Sequence, residues 1–407
     1  MNGQTDFDVI VAGAGPAGAI AARECAGAGL RVALIERYSL PRPKLCGGGL
    51  SNHCLANLGL DLPLSLIQAE IKGAIIQGWN SEVRITLKQR AGVLVDRAEF
   101  DHFLAQAAEA KGARLISGTQ ITDVARKADR IEVTCNNGNV FSAQILIGAD
   151  GVNGITHRLV REKLPAAQTG NCLEVFPAAA PEKIRRLLND HCTFDFAAAR
   201  YGYGWIFPHR SSVAVGIGGF NEHFKEPHAV MDAFLANHGF DSRDLKVKGF
   251  PIPAGGFKRA VSAERVLLCG DAAGFVDPFL GEGISYAVIS GRLAARTAIE
   301  SLKAARSDAA FMRKYDRATW MEIASDLRWA LRLTRILHGM PRRTLAFFIR
   351  CRPVLERFTQ IVSGQLKYHS FIGWLLPRLP WLLLRSLFKK DYTPRNPGVG
   401  FELNEDK

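Results

Sequence analysis

Four stretches of this chain are apolar at nearly every position: Val9-Ile10-Val11-Ala12, Val32-Ala33-Leu34-Ile35, Ile145-Leu146-Ile147 and Val266-Leu267-Leu268. Such runs lack the alternation of a half-solvated strand and predict strands buried on both faces of a parallel sheet. Helical spacing appears between them: Ala19 to Ala28 is rich in Ala, Ala98 to Lys111 carries Phe100, Phe103, Leu104 and Ala107, and Ser285 to Ala298 is built of small residues. A second pattern has short β-type runs, at Ala74 to Trp79 and at Glu82 to Leu87, where Ile85 and Leu87 alternate with polar neighbours. Arg114 to Ile116, Ile121 to Ala125, Ile131 to Cys135 and Val140 to Ser142 predict antiparallel strands, with Asn136-Asn137-Gly138-Asn139 as a hairpin turn. Short β-type runs recur from Cys172 to Phe250, which predicts a second sheet. Near the end, Trp329 to Phe348 reads as an amphipathic, cationic helix, and Phe371 to Lys390 as an apolar stretch broken by Pro377, Arg378, Pro380 and Arg385.

The first apolar run ends in Gly13-Ala14-Gly15-Pro16-Ala17-Gly18, and the second ends at Glu36. Strand, glycine turn, helix and acidic strand end are the parts of a dinucleotide site. Gly13 permits the turn, Gly15 lets backbone approach a pyrophosphate, and Gly18 lets the helix pack closely. The helix start, at Pro16 and Ala17, aims peptide N–H groups at the phosphates. A carboxylate at Glu36 accepts from an adenosine ribose and disfavours a 2′-phosphate, which leaves FAD or NAD. Gly148-Ala149-Asp150-Gly151 and Gly270-Asp271 repeat the pattern of a buried strand running into an acidic glycine turn. Asp271 is placed for ribityl hydroxyls, while Gly281, Gly283 and Ile284 present backbone to a flavin edge or to phosphate.

Composition adds two constraints. None of the eight cysteines forms a CxxC pair or has a His at zinc spacing, so reduced thiols and no metal are expected. No signal peptide is visible, which fits a cytoplasmic protein. The net charge is +13, of which +12 lies between Arg328 and Lys390, where Glu356 is the one acid. A basic module beside an apolar stretch too broken to span a bilayer predicts peripheral attachment to an anionic membrane surface. No nucleic-acid module is present.

The chain resembles the p-hydroxybenzoate hydroxylase-like flavoproteins in Gly13 to Gly18, Gly148-Ala149-Asp150-Gly151 and Gly270-Asp271 to Gly283. Within them it resembles the geranylgeranyl reductase family, through Pro41-x-x-Lys44-x-Cys46-Gly47-Gly48 and Tyr203-x-Trp205-x-Phe207-Pro208. Many members have Lys after the Phe-Pro; here it is His209. The resemblance implies an α/β fold with a Rossmann-type FAD-binding domain (residues 1–75, 92–165 and 260–300) interleaved with an antiparallel-sheet substrate domain (76–91 and 166–259). A C-terminal helical, basic, membrane-facing module (301–407) completes it. The implied activity is flavin-dependent reduction of isolated C=C bonds in a geranylgeranyl or polyprenyl lipid, with electrons from NAD(P)H or ferredoxin. An FAD-dependent monooxygenase on a hydrophobic substrate is the alternative.

Beyond the residues already named, Arg37, Cys46, Gly47, Gly48 and Arg97 are expected cofactor contacts. Tyr201, Tyr203, Trp205 and Phe207 alternate with other residues, so a strand projects them as an aromatic wall for a hydrocarbon, to which Pro278 is added. Cys46, Tyr203 and Trp205 are the expected catalytic positions. For Cys46, on its glycine-rich loop, gating, proton supply, thiol redox with Cys54 and simple apolar burial all stand open.

Overall fold

The computed structural model describes residues 5–79, 81–243, 245–388 and 399–404. Its backbone divides into two units, one comprising Met1–Lys44, Arg97–Gln168 and Pro253–Leu327, the other Leu45–Asp96, Thr169–Ile252 and Arg328–Lys407.

The first unit is built on a sheet whose path runs Ser262–Ala263, Val266–Leu268, Val140–Gly148, Phe7–Ala12, Val32–Ile35, Arg114–Ile116. The four apolar runs pair in parallel, with Val9 opposite both Ile145 and Val32, and Leu146 opposite Val266. Their side chains are wholly buried, as unbroken apolar runs require. The expected strands at 140–142 and 145–147 are one strand, Val140–Gly148. It pairs antiparallel with Ile131–Cys135 at its start and parallel with Phe7–Ala12 from Ala143 onward. No Gly or Pro lies between the two halves, so nothing interrupts the extended backbone. The first helix, Pro16–Gly27, starts a turn before its Ala-rich part because Pro16 at the first helical position forgoes only an N–H that has no intrahelical partner. Helix Ile284–Lys303 crosses it at backbone contact: a Cβ on Gly291 would stand 2.3 Å from the Ala17 carbonyl oxygen.

The second unit holds an eight-stranded sheet ordered Lys248–Pro253, Thr169–Val175, Val213–Phe220, Gly202–Pro208, His191–Asp195, Gly73–Gly78, Ser81–Leu87, Val399–Asn404. Leu173, Val175, Ile206, Val215 and Ile217 pack with Met231, Phe234 and Leu235 of helix Pro227–Asn237. Val83 and Ile85 pack with Leu345, Ile349 and Leu355 of the C-terminal helices. A three-stranded sheet joins Gly49–Ser51, Gly92–Val95 and Ile67–Ile71. The single amphipathic helix expected from Trp329 to Phe348 is two, Ser325–Gly339 and Pro341–Arg350. Pro341 cannot donate to a preceding turn, and it drives Met340 out of the helical region, to φ −136° and ψ 65°. Helices Arg352–Val362, Tyr368–Leu375 and Leu379–Phe388 follow. Among the described residues no helix is long and apolar enough to cross a membrane. Lys389, Lys390 and residues 391–398 and 405–407 of the expected basic module lie outside the described residues.

Candidate cofactor and substrate sites

The three glycines of the first turn do three different things. Gly13 has φ +98°, and a Cβ there would stand 2.4 Å from the Ala149 carbonyl oxygen; one on Gly18 would stand 1.9 Å from the Gly13 oxygen. Both are required by the protein's own packing. Gly15 has φ −76°, and the nearest atom to its hypothetical Cβ is Arg42 Nη2, 3.9 Å away. The chain itself leaves that space open. The following helix has no side-chain cap, so its first N–H groups and its positive end are available to an anion. An open cradle before an uncapped helix fits a dinucleotide pyrophosphate.

Glu36 is 4% exposed, and its carboxylate accepts from the Ala14 N–H at 2.9 Å and the Tyr38 N–H at 3.2 Å. Arg42 pairs with it, Nε lying 3.2 Å from Oε1, and also reaches Asp101 through Nη1 at 3.1 Å. Arg97 closes the chain with a fork onto Asp101, Nε at 2.9 Å and Nη2 at 3.0 Å. The expected cofactor residue Arg97 is thus bound to a buried carboxylate two links from Glu36. Reading by motif missed Arg42 and Asp101; the four-residue spacing of Arg97 and Asp101 on helix Arg97–Glu109 was the available signal. Arg37 is exposed, its guanidinium 4.7 Å from the Tyr38 ring centroid.

Asp150, also expected among the cofactor contacts, uses both carboxylate oxygens inside its own turn. It accepts from the N–H groups of Ile155 and Thr156 at 2.6 and 2.9 Å and from the Thr156 hydroxyl at 2.6 Å. These bonds fix the shape of the turn, in which Asp150 itself is half-buried. Gly270, at φ +56°, donates its N–H to Ser290 Oγ at 2.9 Å, and Asp271 beside it is half-buried. The loop from Asp277 to Glu282 is closed by its own bonds: Asp277 Oδ1 accepts from Phe279 and Leu280, and the Gly281 N–H, at φ +68°, donates to the Asp277 carbonyl. Pro278 is half-buried on that loop. The loop delivers the chain to Gly283 and Ile284, where helix Ile284–Lys303 begins without a side-chain cap. The first unit therefore holds two long helices with uncapped starts.

In the second unit strand Gly202–Pro208 alternates as expected, with Tyr203, Trp205 and Phe207 partly exposed and Gly202, Gly204 and Ile206 buried. Phe194 joins the wall, its ring centroid 5.8 Å from Tyr203 and 5.4 Å from Phe207. Tyr201 does not belong to it. It precedes the strand at φ +52°, and its ring stacks on His223 at 3.9 Å and on His338 at 5.4 Å. Burial, aided by His223, pushes the His338 imidazole down to about 4, so it is neutral at neutral pH.

The Cys46 loop lies on this wall. A Cβ on Gly47 would stand 2.6 Å from Phe207 Cδ2, and one on Gly48, at φ +76°, 2.0 Å from the Val95 carbonyl oxygen. Cys46 Sγ accepts from the Gly48 N–H at 3.4 Å. The His209 ring meets the Gly47 carbonyl at 3.3 Å through Nε2, and burial pushes its titration down. His209, in the place where many resembling chains have Lys, thus holds the loop as a neutral group. All eight cysteines are free thiols; Cys46 alone is half-buried, while Cys54 and the others are buried.

An open cradle at Gly15, two uncapped helix starts and a buried acid at the second strand end fit a dinucleotide cofactor, and a family described as FAD binding domain matches residues 6–226, which makes the chain an FAD-binding flavoprotein. The chain belongs to the geranylgeranyl reductase family of FAD-dependent oxidoreductases. It is 30% identical over 312 residues to the geranylgeranyl diphosphate reductase of Rhodobacter capsulatus, covering 74% of this chain and 77% of that one. It is 29% identical over 365 residues to digeranylgeranylglycerophospholipid reductase 2 of Methanopyrus kandleri, covering 84% and 89%. The crystal structure of a geranylgeranyl bacteriochlorophyll reductase-like protein from Thermoplasma acidophilum shares the fold, with a TM-score of 0.78 over 93% of this chain and 98% of that one at 23% identity.

Proposed function

We propose that the protein reduces isolated C=C bonds in the geranylgeranyl or polyprenyl chain of a lipid. The observation that carries this reading is the aromatic face of the second unit, on which Phe194, Tyr203, Trp205 and Phe207 stand together, in a chain of this family. An uncharged chain offers no group for a salt bridge, so it is gripped by dispersion and exclusion of water, which aromatic rings supply. FAD, once bound and reduced, supplies the hydride for one alkene carbon, and a proton completes the other.

The chain's own residues have the remaining work. Gly15, Pro16, Ala17 and the helix start bind the diphosphate, Glu36 takes the adenosine ribose, and Asp271, Gly283 and Ile284 serve the ribityl and flavin end. Tyr203, Trp205 and Phe207 orient the hydrocarbon. An unpolarised alkene reacts only when pre-aligned in a dry site, so this orientation is the protein's chief contribution. Cys46, half-buried on the glycine-rich loop that lies on this wall, is assigned the role of gate or proton source. With one GxGxxG unit in the chain, NAD(P)H or ferredoxin delivers electrons without a nucleotide domain of its own.

The C-terminal helices are assigned to an anionic bilayer surface. Leu376, Trp381, Leu383 and Leu384 are exposed there, Arg378 lies among them, and the segment carries nearly all the net charge.

The decisive experiment is anaerobic incubation of the reduced holoprotein with geranylgeranyl diphosphate and with digeranylgeranylglycerophospholipid, followed by mass spectrometry. Each reduced bond adds two hydrogens. Unchanged lipid masses throughout would overturn the proposal, and oxygen insertion under air would replace it with hydroxylation.

A further inference from the structure

Three strands of the second unit carry a row of residues in one register. Glu174 on Thr169–Val175 opposes Gly216 on Val213–Phe220, and Gly216 opposes Trp205 on Gly202–Pro208. Directly opposed residues point to the same face of a sheet. In an ordinary row the middle side chain would keep the outer two apart. Here a Cβ on Gly216 would stand 2.2 Å from Trp205 Cζ2 and 2.4 Å from Cε2, so the indole occupies the place of the missing side chain. Gly218, two residues on and on the same face, would put a Cβ 3.4 Å from Trp205 Cζ3. The ring thus lies flat over a glycine floor, and from there its Nε1–H donates to Glu174 Oε1 at 3.1 Å.

Glu174 is 1% exposed, whereas Trp205 is partly exposed. A carboxylate buried beside an aromatic wall is costly unless it is hydrogen-bonded, and one bonded to an indole fixes that indole's rotamer. One ring face rests on backbone while the other is turned away from the sheet.

We propose that Glu174 is a positioning residue for the hydrocarbon wall: by holding Trp205 flat across Gly216 and Gly218 it sets the depth of the apolar surface and so which double bonds of a prenyl chain are accepted. This rests on the wall's assignment to the prenyl chain. Glu174 acts through Trp205 and touches no reacting atom. Three substitutions separate the parts of the device. Glu174→Leu removes the acceptor, Glu174→Gln keeps an acceptor without the charge, and Gly216→Ala removes the seat while leaving the acceptor in place.

The test uses FAD-loaded protein, with flavin content as the control for folding. Without substrate, the near-ultraviolet circular dichroism lost in Trp205→Phe identifies the Trp205 signal. That signal is expected to vanish in Glu174→Leu and Gly216→Ala and to persist in Glu174→Gln. With prenyl substrate, the first two variants are expected to raise KM and lower kcat/KM roughly tenfold, the change that about 1.4 kcal/mol produces, and to alter how many bonds are reduced. Glu174→Gln is expected to stay within about threefold of the parent. A Trp205 signal intact in Glu174→Leu overturns the proposal, as does equal impairment by Leu and Gln, which would make the charge and not the hold the operative property. Should Gly216→Ala fail to bind flavin, the Leu and Gln pair decides alone. Should the parent protein reduce no prenyl lipid, the assigned function fails, while the substrate-free spectra still report whether Glu174 holds the indole.

Discussion

Gly15→Ala and Gly18→Ala, three residues apart in one motif, are expected to fail in opposite ways. The Gly18 methyl would lie 1.9 Å from the Gly13 carbonyl oxygen and 3.1 Å from Ala149 Cβ, so the turn or the helix must move. Such overpacking costs about 1–3 kcal/mol. The Gly15 methyl meets nothing nearer than 3.9 Å, and φ −76°, ψ −179° is ordinary backbone for alanine. Its cost to folding is that of alanine in place of glycine before a helix, on the order of 1 kcal/mol or less. It fills, however, the open space before the helix N–H groups that the proposed function gives to the pyrophosphate. Losing two charge-assisted hydrogen bonds of about 1.5–3 kcal/mol each weakens FAD binding by roughly two to four powers of ten. Urea unfolding of the apoproteins and calorimetric titration with FAD measure the two quantities separately. Gly15→Ala should unfold near the parent's midpoint and bind FAD poorly, while Gly18→Ala should unfold early. FAD affinity in Gly15→Ala within threefold of the parent's would refute the reasoning, because the open space at Gly15 would then not be the pyrophosphate's.

Cys46→Ser is expected to leave FAD bound and to slow alkene reduction or change the number of bonds reduced; unchanged turnover and products would make the thiol a packing residue. For His338, sitting against His223 and Tyr201, the folded value of about 4 lies below the ordinary 6.5, so the unfolded chain holds more protons between those pH values. The stability of the neutral imidazole is therefore lost as pH falls through that window, and urea midpoints should drop less from pH 7 to pH 5 in His338→Phe than in the parent; equal drops would remove His338 from the explanation. Binding to anionic vesicles should weaken with salt without vanishing, since the basic residues are screened and the exposed Trp381, Leu383 and Leu384 are not. Sedimentation with neutral vesicles to the same extent would sink the electrostatic part, and full release at high salt the apolar part.

The parallel core was legible in the sequence because burial on both faces leaves an unambiguous mark, a strand with no polar position. The aromatic wall was legible from alternation, yet alternation continued one residue too far. Nothing in the letters at 201 says that a tyrosine there takes φ +52° and turns to His223 and His338. The break at Pro341, by contrast, was written in the sequence, since proline removes a helix donor wherever it falls inside an amphipathic run.

The glycines mark where such reading ends. Gly13, Gly15, Gly18 and Gly216 are the same letter, and only their neighbours tell them apart. Gly13 supplies a backbone angle, Gly18 a close crossing, and Gly15 a space the protein does not use. Gly216 provides a seat for an indole that arrives from the next strand. A motif can identify the first three together because a dinucleotide imposes their spacing. No motif could identify the fourth: Glu174, Trp205 and Gly216 meet only through the pairing of three strands, and sheet register is a property of the folded chain and not of any stretch of it.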